Sequence, residues 1–399
     1  MKTQLRLPFY LAWQYIRRGR KWTLFLTLFL MSVAFINLIF MSSLFAGIID
    51  GSNKQIINTT TGNVYITPKD GQDFINSKEE TLEKLNSIND ILSASARTQL
   101  PARLEYKNIR GNWEILAINP NDEKRVTNIA DKIAEGSFLD KNDENQIIIG
   151  RQIAGGENVE QNAFSFKGAR VGEKVTLLFD GASKEFTIKG IFNTKFMQSD
   201  LRAFVTEKAL DQLIPATKNK ATTIVAKTGK ENDKEVVDKV QALNIDGKVY
   251  SWQDATGLMK SIAESFKSIN ALVSIVGILI AAITIFIIIY VDIINKRKEI
   301  GILRAIGIKP YIIISSYVIL AAIYAVAGVI FGTLIFQFAI APYFQAHPFV
   351  LPICDAVLVI TKTDYIVRAE TIMWVSVISG LIPAAITTRS KMLDAILGK

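Results

Sequence analysis

The side chains that ordinarily do chemistry are scarce in this sequence, or spaced for something other than catalysis. A single histidine, His347, excludes an HExxH zinc site and any multi-histidine metal centre. It stands between Pro342 and Pro348 in a loop, where it reads as a turn residue rather than a base. The single cysteine, Cys354, cannot form an intramolecular disulfide. Each Gly-Lys pair, at Gly229-Lys230, Gly247-Lys248 and Gly398-Lys399, lacks a glycine five positions upstream. No phosphate-cradling P-loop is therefore present, and no cofactor is expected in this chain. Asp and Glu are plentiful between residues 50 and 268, but no spacing singles out a pair for acid-base work. The one patterned cluster is Glu299–Ile308, preceded by Lys296, Arg297 and Lys298. Ile300, Leu303 and Gly307 recur at three- and four-residue spacing and share one face of a short helix, with Ile302 and Ile306 on a neighbouring face. An apolar face flanked by charge is built for docking, either into a groove on another protein or onto the bilayer surface. Gly301 and Gly307 each cost ~1 kcal/mol relative to Ala inside a helix, and suit a short helix that turns tightly and admits a partner. Glu299 and Arg304 can orient that contact by pairing across it.

The elements that must position this cluster are membrane helices. Apolar residues make up 49% of the 399, charged residues 21%, and the mean hydropathy is +0.25. Intrinsic disorder, collagen-like repeats and a disulfide scaffold are excluded by that composition. Four segments lack Asp, Glu, Lys and Arg for long enough to cross a bilayer: 22–49, 269–291, 311–341 and 371–388. The first is 28 residues long and bulky, too long for the apolar part of a cleaved signal peptide. The flanking segments 1–21, 292–310 and 389–399 together carry a net charge of +11, whereas 50–268 and the loop 342–370 each carry −1. Positive short segments stay in the cytoplasm, so both termini and the 292–310 loop are expected inside, and 50–268 and 342–370 outside. Confinement of the excess charge to juxtamembrane segments also explains the pI near 9.3 without a nucleic-acid partner. The spans themselves carry no ionisable residue, which argues against a proton- or ion-coupled carrier.

Residues 50–268 read as a soluble mixed fold. Asn63–Thr67, Ile91–Gln99, Thr222–Ala226 and Lys248–Trp252 are strand-like; Ser77–Ile88 and Glu231–Leu243 are helical. Two strand-helix-strand units, about 58–105 and 218–252, thus flank an inserted strand-rich part, about 106–217. Asp180-Gly181 predicts a tight hairpin turn. Leu258, Ile262, Phe266 and Ile269 recur at helical spacing into the second span, and Phe45, Ile49 and Ile56 do so leaving the first. Such stalks are suited to carry motion between membrane and domain, or simply to support the domain. The expected fold is an α+β membrane protein, with four transmembrane helices and a large mixed α/β extracytoplasmic domain between the first and second.

The run Asn295–Ile308, with Glu299-Ile300-Gly301, Leu303-Arg304-Ala305 and Gly307, resembles the (R/K)xxEIGxLRAxG signature of the ABC transporter permeases that include MacB, LolC/LolE and FtsX, the type VII family. The similarity extends in outline along the chain. Tyr10–Lys21 is similar to the family's basic N-terminal helix, Asn63–Lys69 to its first strand, Ile147–Gly156 and Val171–Phe192 to its strand-rich middle, and Pro383-Ala384-Ala385 with Met392–Leu397 to its closing pattern. Asp394 and Ala395 match that pattern, but its usual proline is missing. The resemblance implies a multi-pass protein of the bacterial plasma (inner) membrane and a homo- or heterodimer of two permeases. Two cytoplasmic ATPase subunits would be separate chains holding ATP and Mg, since only 21 residues precede the first span. Glu299, Ile300, Gly301, Leu303, Arg304, Ala305 and Gly307 would dock that ATPase. Its closure would be transmitted through the stalks to move a lipoprotein or other amphipathic substrate on the outer side. Members that extract lipoproteins take the substrate between the first two spans. Phe29, Phe35, Ile36, Ile39 and Phe40 on span one, with Ile275, Leu279 and Ile283 on span two, would suit acyl chains; each also fits ordinary lipid-facing or helix-packing duty. LolC carries a proline-containing hook that recruits a periplasmic lipoprotein carrier, whereas Leu178–Phe186 has no proline. An FtsX-like transmitter that activates a cell-wall hydrolase is the alternative, although its outer domain is about half this length.

Overall fold

The computed structural model describes every residue except 1, 20, 158, 161, 230–232, 256, 352 and 389–399. The expected cytoplasmic tail, with Asp394 and Ala395, lies outside the described residues, as do the side chains of Leu258 and Ile262. The chain divides into two compact units. One comprises Met1–Ile49, Ala263–Phe349 and Ala356–Lys399, the other Asp50–Ile262 with Val350–Asp355.

Helices α1 (Lys2–Arg18) and α2 (Lys21–Ile56) open the chain. The second unit then runs β1 (Val64–Thr67), α3 (Lys78–Asn86), β2 (Ile91–Tyr106), β3 (Ile109–Ile118), α4 (Pro120–Val126), β4 (Ile133–Gly136) and β5 (Gln146–Gly150). It continues with α5 (Arg151–Ala154), β6 (Lys174–Phe179), β7 (Ala182–Phe192), α6 (Met197–Asp200), β8 (Arg202–Thr206), α7 (Glu207–Leu213), β9 (Thr223–Thr228), α8 (Asp233–Ala242), β10 (Lys248–Ser251) and α9 (Trp252–Ala255). Helices α10 (Gly257–Asn295), α11 (Arg297–Ala305), α12 (Pro310–Ile335), α13 (Ala341–Ala346) and α14 (Lys362–Thr388) complete the described chain.

Ten strands of the large domain form one sheet, in the order β10-β1-β9-β2-β3-β8-β5-β7-β4, with β6 against β2 and β7. β1 is antiparallel to both β10 and β9, and β9 is antiparallel to β2. The crossovers β1-α3-β2 and β9-α8-β10 therefore interlock, each passing over a strand of the other, in the manner of a split βαβ fold. Val64, Ile66, Leu85, Ala94, Ala226, Val236 and Val240 form the core of this part. The part between residues 102 and 210 has its own core around Leu104, Trp113, Phe166, Val175, Phe186 and Val205. The strand expected at Ile91–Gln99 instead continues to Tyr106 and serves both cores. Pro101 is tolerated inside it because there β2 pairs with β3 alone, β9 having ended at Arg97 and β6 starting at Arg103. The β6–β7 hairpin closes on Asp180 (φ 45°) and Gly181 (φ 80°) between paired Phe179 and Ala182, a two-residue turn of the kind that matches strand twist.

In the membrane unit four helices are long and apolar enough to cross a bilayer: Lys21–Thr61, Glu264–Asn295, Pro310–Ala346 and Lys362–Ile386. The fourth begins nine residues before Thr371, the expected start of that span. Polar Lys362, Asp364, Arg368 and Glu370 hide this extension from hydropathy, yet Tyr365 and Ala369 pack against the bundle core. The crossing of α12 on α2 uses glycine. A Cβ on Gly328 of α12 would lie 2.6 Å from Met31 Cβ, and one on Gly332 would lie 2.9 Å from the Phe35 ring. This Gly-x-x-x-Gly stripe lets α12 approach α2 closely, the way helices associate where burial from water supplies no drive.

Candidate functional site

Helix α11 has its two apolar faces turned to different surroundings. Ile300 is 3% exposed in the bundle core, and Leu303 and Ile308 pack against the same cluster; Gly301 is also buried. Ile302 and Ile306 are 58% and 73% exposed, with Glu299, Ala305 and Gly307 also exposed and Arg304 half-buried. The helix is closed by a Schellman arrangement: the Gly307 amide donates to the Arg304 carbonyl at 3.1 Å, and the Ile308 amide to the Leu303 carbonyl at 3.1 Å. Gly307 has φ 95° and nothing within 4 Å of a hypothetical Cβ, so backbone conformation, not space for a partner, requires glycine there. Leu303 and Ile308, both packed against the bundle core, anchor the helix at this cap. Of the residues singled out in sequence, Ile300 and Leu303 thus hold the helix in place, while Ile302 and Ile306 remain free to meet a partner.

Upstream, α1 braces this end of the bundle. Tyr15 stacks on Tyr317 of α12 with centroids 5.3 Å apart, and Lys296 lies 4.1 Å over the Tyr15 ring while pairing with Asp292 at 3.0 Å. Phe9, Tyr10 and Trp13 on the opposite side of α1 are more than half exposed. With Arg17 and Arg18 in the last turn, this is the pattern of a helix lying in a membrane interface. A cavity of about 510 Å³ opens between these elements, lined by Arg18, Thr27, Ile287, Asp292, Lys296 and Tyr324 among others.

The eight expected acyl-facing residues separate into three groups. Ile275, Leu279 and Ile283 are 54–57% exposed at four-residue spacing along α10, and Phe29 on α2 is 51% exposed. Phe35 and Ile39 are fully buried. Phe35 lies against Gly332 and edge-on to Tyr365 at 5.9 Å, so it is a helix-packing residue. Ile36 is half-buried, and Phe40 contacts Phe344 and Phe349 at 5.6 and 6.5 Å.

Two features were not singled out in sequence. Within the large domain, Glu123 of α4 is fully buried and receives Arg97 of β2 at 2.6 and 3.0 Å, Ser95 at 2.9 Å and Thr127 at 2.8 Å. Burial alone would push the Glu123 carboxyl up, but the Arg97 guanidinium and the Thr127 and Ser95 hydroxyls hold it below the usual carboxylate range. Arg97 also donates to the Thr60 carbonyl in the π-helical turn Ile57–Thr61 that follows α2, and the Asn128 amide donates to the Asn58 carbonyl at 2.9 Å. The end of that long helix is thus fastened to the sheet through a buried charge pair. In the membrane unit, Arg368 donates to Ser274 Oγ of α10 at 3.1 Å and to Ser42 Oγ of α2 at 3.3 Å. Neither network has a short sequence motif, because the arginine contacts that define them join residues 26 to 326 positions apart.

Residues 24–243 match the profile of the MacB-like periplasmic core domain, and residues 271–390 that of the FtsX-like permease C-terminal domain. A Staphylococcus haemolyticus protein named as a hemin transport system permease, HrtB, is 25% identical over 362 residues, 88% of this chain and 91% of that protein. LolC of Buchnera aphidicola, a lipoprotein-releasing system transmembrane protein, is 24% identical over 262 residues, 65% of this chain and 64% of that protein. Among solved structures, the periplasmic region of MacB from Actinobacillus actinomycetemcomitans aligns with 51% of this chain and 95% of its own length, at 13% identity and a TM-score of 0.37. The extracellular domain of YknZ, an ABC-type transporter from Gram-positive bacteria, aligns with 47% of this chain and 98% of its own length, at 13% identity and a TM-score of 0.35.

Proposed function

This chain belongs to the ABC transporter permeases of the MacB, LolC and FtsX family, and on that premise we propose that it moves an amphipathic substrate on the extracytoplasmic side of the membrane by mechanical coupling to ATP hydrolysis. It is a multi-pass permease subunit and not itself an enzyme; family membership implies an ATPase on another chain and a dimeric assembly. ATP and Mg are held by that partner. The relatives' names point to hemin in one case and lipoproteins in the other, and both substrates join a large apolar body to a polar group. Ile275, Leu279 and Ile283, exposed in line on α10, supply an apolar track suited to such a body.

The observation that carries the coupling is the exposed pair Ile302 and Ile306 on a helix anchored by Ile300, Leu303 and Ile308. A rigidly held helix with an unpartnered apolar face transmits a push from whatever docks on it. Placing a carboxylate in an apolar docking groove costs several kcal/mol, enough to lose ordinary affinity. Ile302→Asp or Ile306→Asp is therefore expected to leave the permease folded and inserted while abolishing co-purification of the ATPase and coupled hydrolysis. Leu303→Asp should instead lower the melting temperature of the permease itself. Full retention of the ATPase by both exposed-face variants would refute this docking surface.

A further inference from the structure

Arg368 is a half-buried cation on α14, near the start of the fourth membrane helix. It lies on α14 one turn beyond Tyr365, which packs edge-on to Phe35, and one turn before Ile372, which is 1% exposed in the bundle core. Its guanidinium reaches between two other helices, to Ser274 on α10 and Ser42 on α2; both serines are less than a tenth exposed. Both partners are neutral hydroxyls. Among the described residues no carboxylate lies within ion-pair distance of Arg368. Asp364, one turn back on α14, is engaged as the partner of the Thr361 hydroxyl at 2.6 Å, and its amide bonds the same oxygen at 3.1 Å. A charge within a bundle ordinarily pairs or marks a ligand path, because leaving it uncompensated beside hydrocarbon is costly. The planar fork of a guanidinium also matches carboxylate and phosphate geometry better than it matches two separate hydroxyls. On α10, Ser274 is followed at once by the exposed series Ile275, Leu279 and Ile283.

We propose that Arg368, presented by Ser42 and Ser274, binds the anionic oxyacid head, carboxylate or phosphate, of an amphiphile whose apolar part lies in the bilayer along α10. This rests on the transport reading and narrows its substrate class to anionic amphiphiles. The hydroxyls act as positioning groups: they hold the guanidinium between α2 and α10, so that binding reports on the separation of those two helices.

Photo-crosslinking in the full permease–ATPase complex, reconstituted in phosphatidylcholine, tests this with diazirine-bearing palmitate as the probe. Labelling of peptides from 35–45 and 270–285 is expected, suppressed by excess palmitate and not by methyl palmitate. Losing a charge-assisted contact should reduce that labelling about tenfold in Arg368→Gln, whereas Arg368→Lys should retain much of it. Diazirine-bearing phosphatidylglycerol distinguishes the sources. Arg368-dependent labelling of the same peptides assigns the head to a lipid phosphate; labelling by palmitate alone assigns it to a carboxylate. Equal competition by the methyl ester, or wild-type labelling in a folded Arg368→Gln, overturns the proposal. ATPase co-purification should be unchanged in Arg368→Gln, so failure at the α11 docking face and failure at this site are read out separately.

Discussion

Single side chains in this protein are governed by burial more than by their own chemistry. Asp200 is 2% exposed, and its carboxylate accepts the Thr194 amide at 2.9 Å and the Thr194 hydroxyl at 2.8 Å. Burial pushes its carboxyl up to about 6 against the pull of those bonds. A folded-state value above the unfolded one means that the folded chain prefers the protonated form. Stability from this group is therefore full below about pH 4 and is lost as the pH rises through about 6. Asp200→Asn keeps the accepting oxygen and removes the charge. Thermal unfolding of this variant is expected to match wild type at pH 3.5, and to show a gain of about 2–3 kcal/mol at pH 8. Equal pH dependence in the two proteins would show that Asp200 is solvated.

At the scale of elements, two junctions fasten the long helices to their neighbours. The Arg97–Glu123 pair joins β2, α4 and the turn after α2 inside the large domain. Arg97→Met leaves an unpaired buried carboxylate, and chemical denaturation should show a loss of about 3–5 kcal/mol. Replacing both partners, as Arg97→Met with Glu123→Leu, should recover most of that stability, yet release Thr60 and weaken substrate-stimulated ATP hydrolysis. A double variant with wild-type coupling would leave the pair a purely structural role. The α12 stripe is the other junction. Gly328→Val forces methyl groups into a gap that closes to 2.6 Å at Met31. Overpacking of this kind should cost about 1–3 kcal/mol, seen as a lower melting temperature in detergent.

For the whole molecule, the charge split argues that the large domain and α11 lie on opposite sides of the membrane. Cys354 is a poor reporter of this, being 3% exposed with its thiol pushed up by burial beside Ser52. In a Cys354→Ser background, Ser183→Cys should react with an impermeant maleimide in intact spheroplasts. Ile306→Cys should react only after the membrane is opened. The reverse pattern would invert the topology.

Hydropathy, charge asymmetry and the Glu299–Gly307 motif were enough to read from the sequence four membrane helices, a mixed α/β domain after the first of them, and the permease family. These properties are local sums: a run of about 20 apolar residues, a short basic segment or a contiguous motif needs no knowledge of what packs against it. The two strand-helix-strand units were read in the same way, through period and turn residues; that their crossovers interlock came only from the strand order. Tertiary structure decided which face of each helix is occupied. Leu303 and Ile302 are neighbours of similar hydropathy, and only the position of the bundle makes one an anchor and the other a surface. Phe35 became a packing residue because Gly332 lets α12 approach it. Arg368 disqualified its own segment from the hydropathy count, and its partners at Ser42 and Ser274 stand 326 and 94 residues away in the chain. Contacts of that range have no periodic signature, because what creates them is the crossing of helices, and no single helix encodes it.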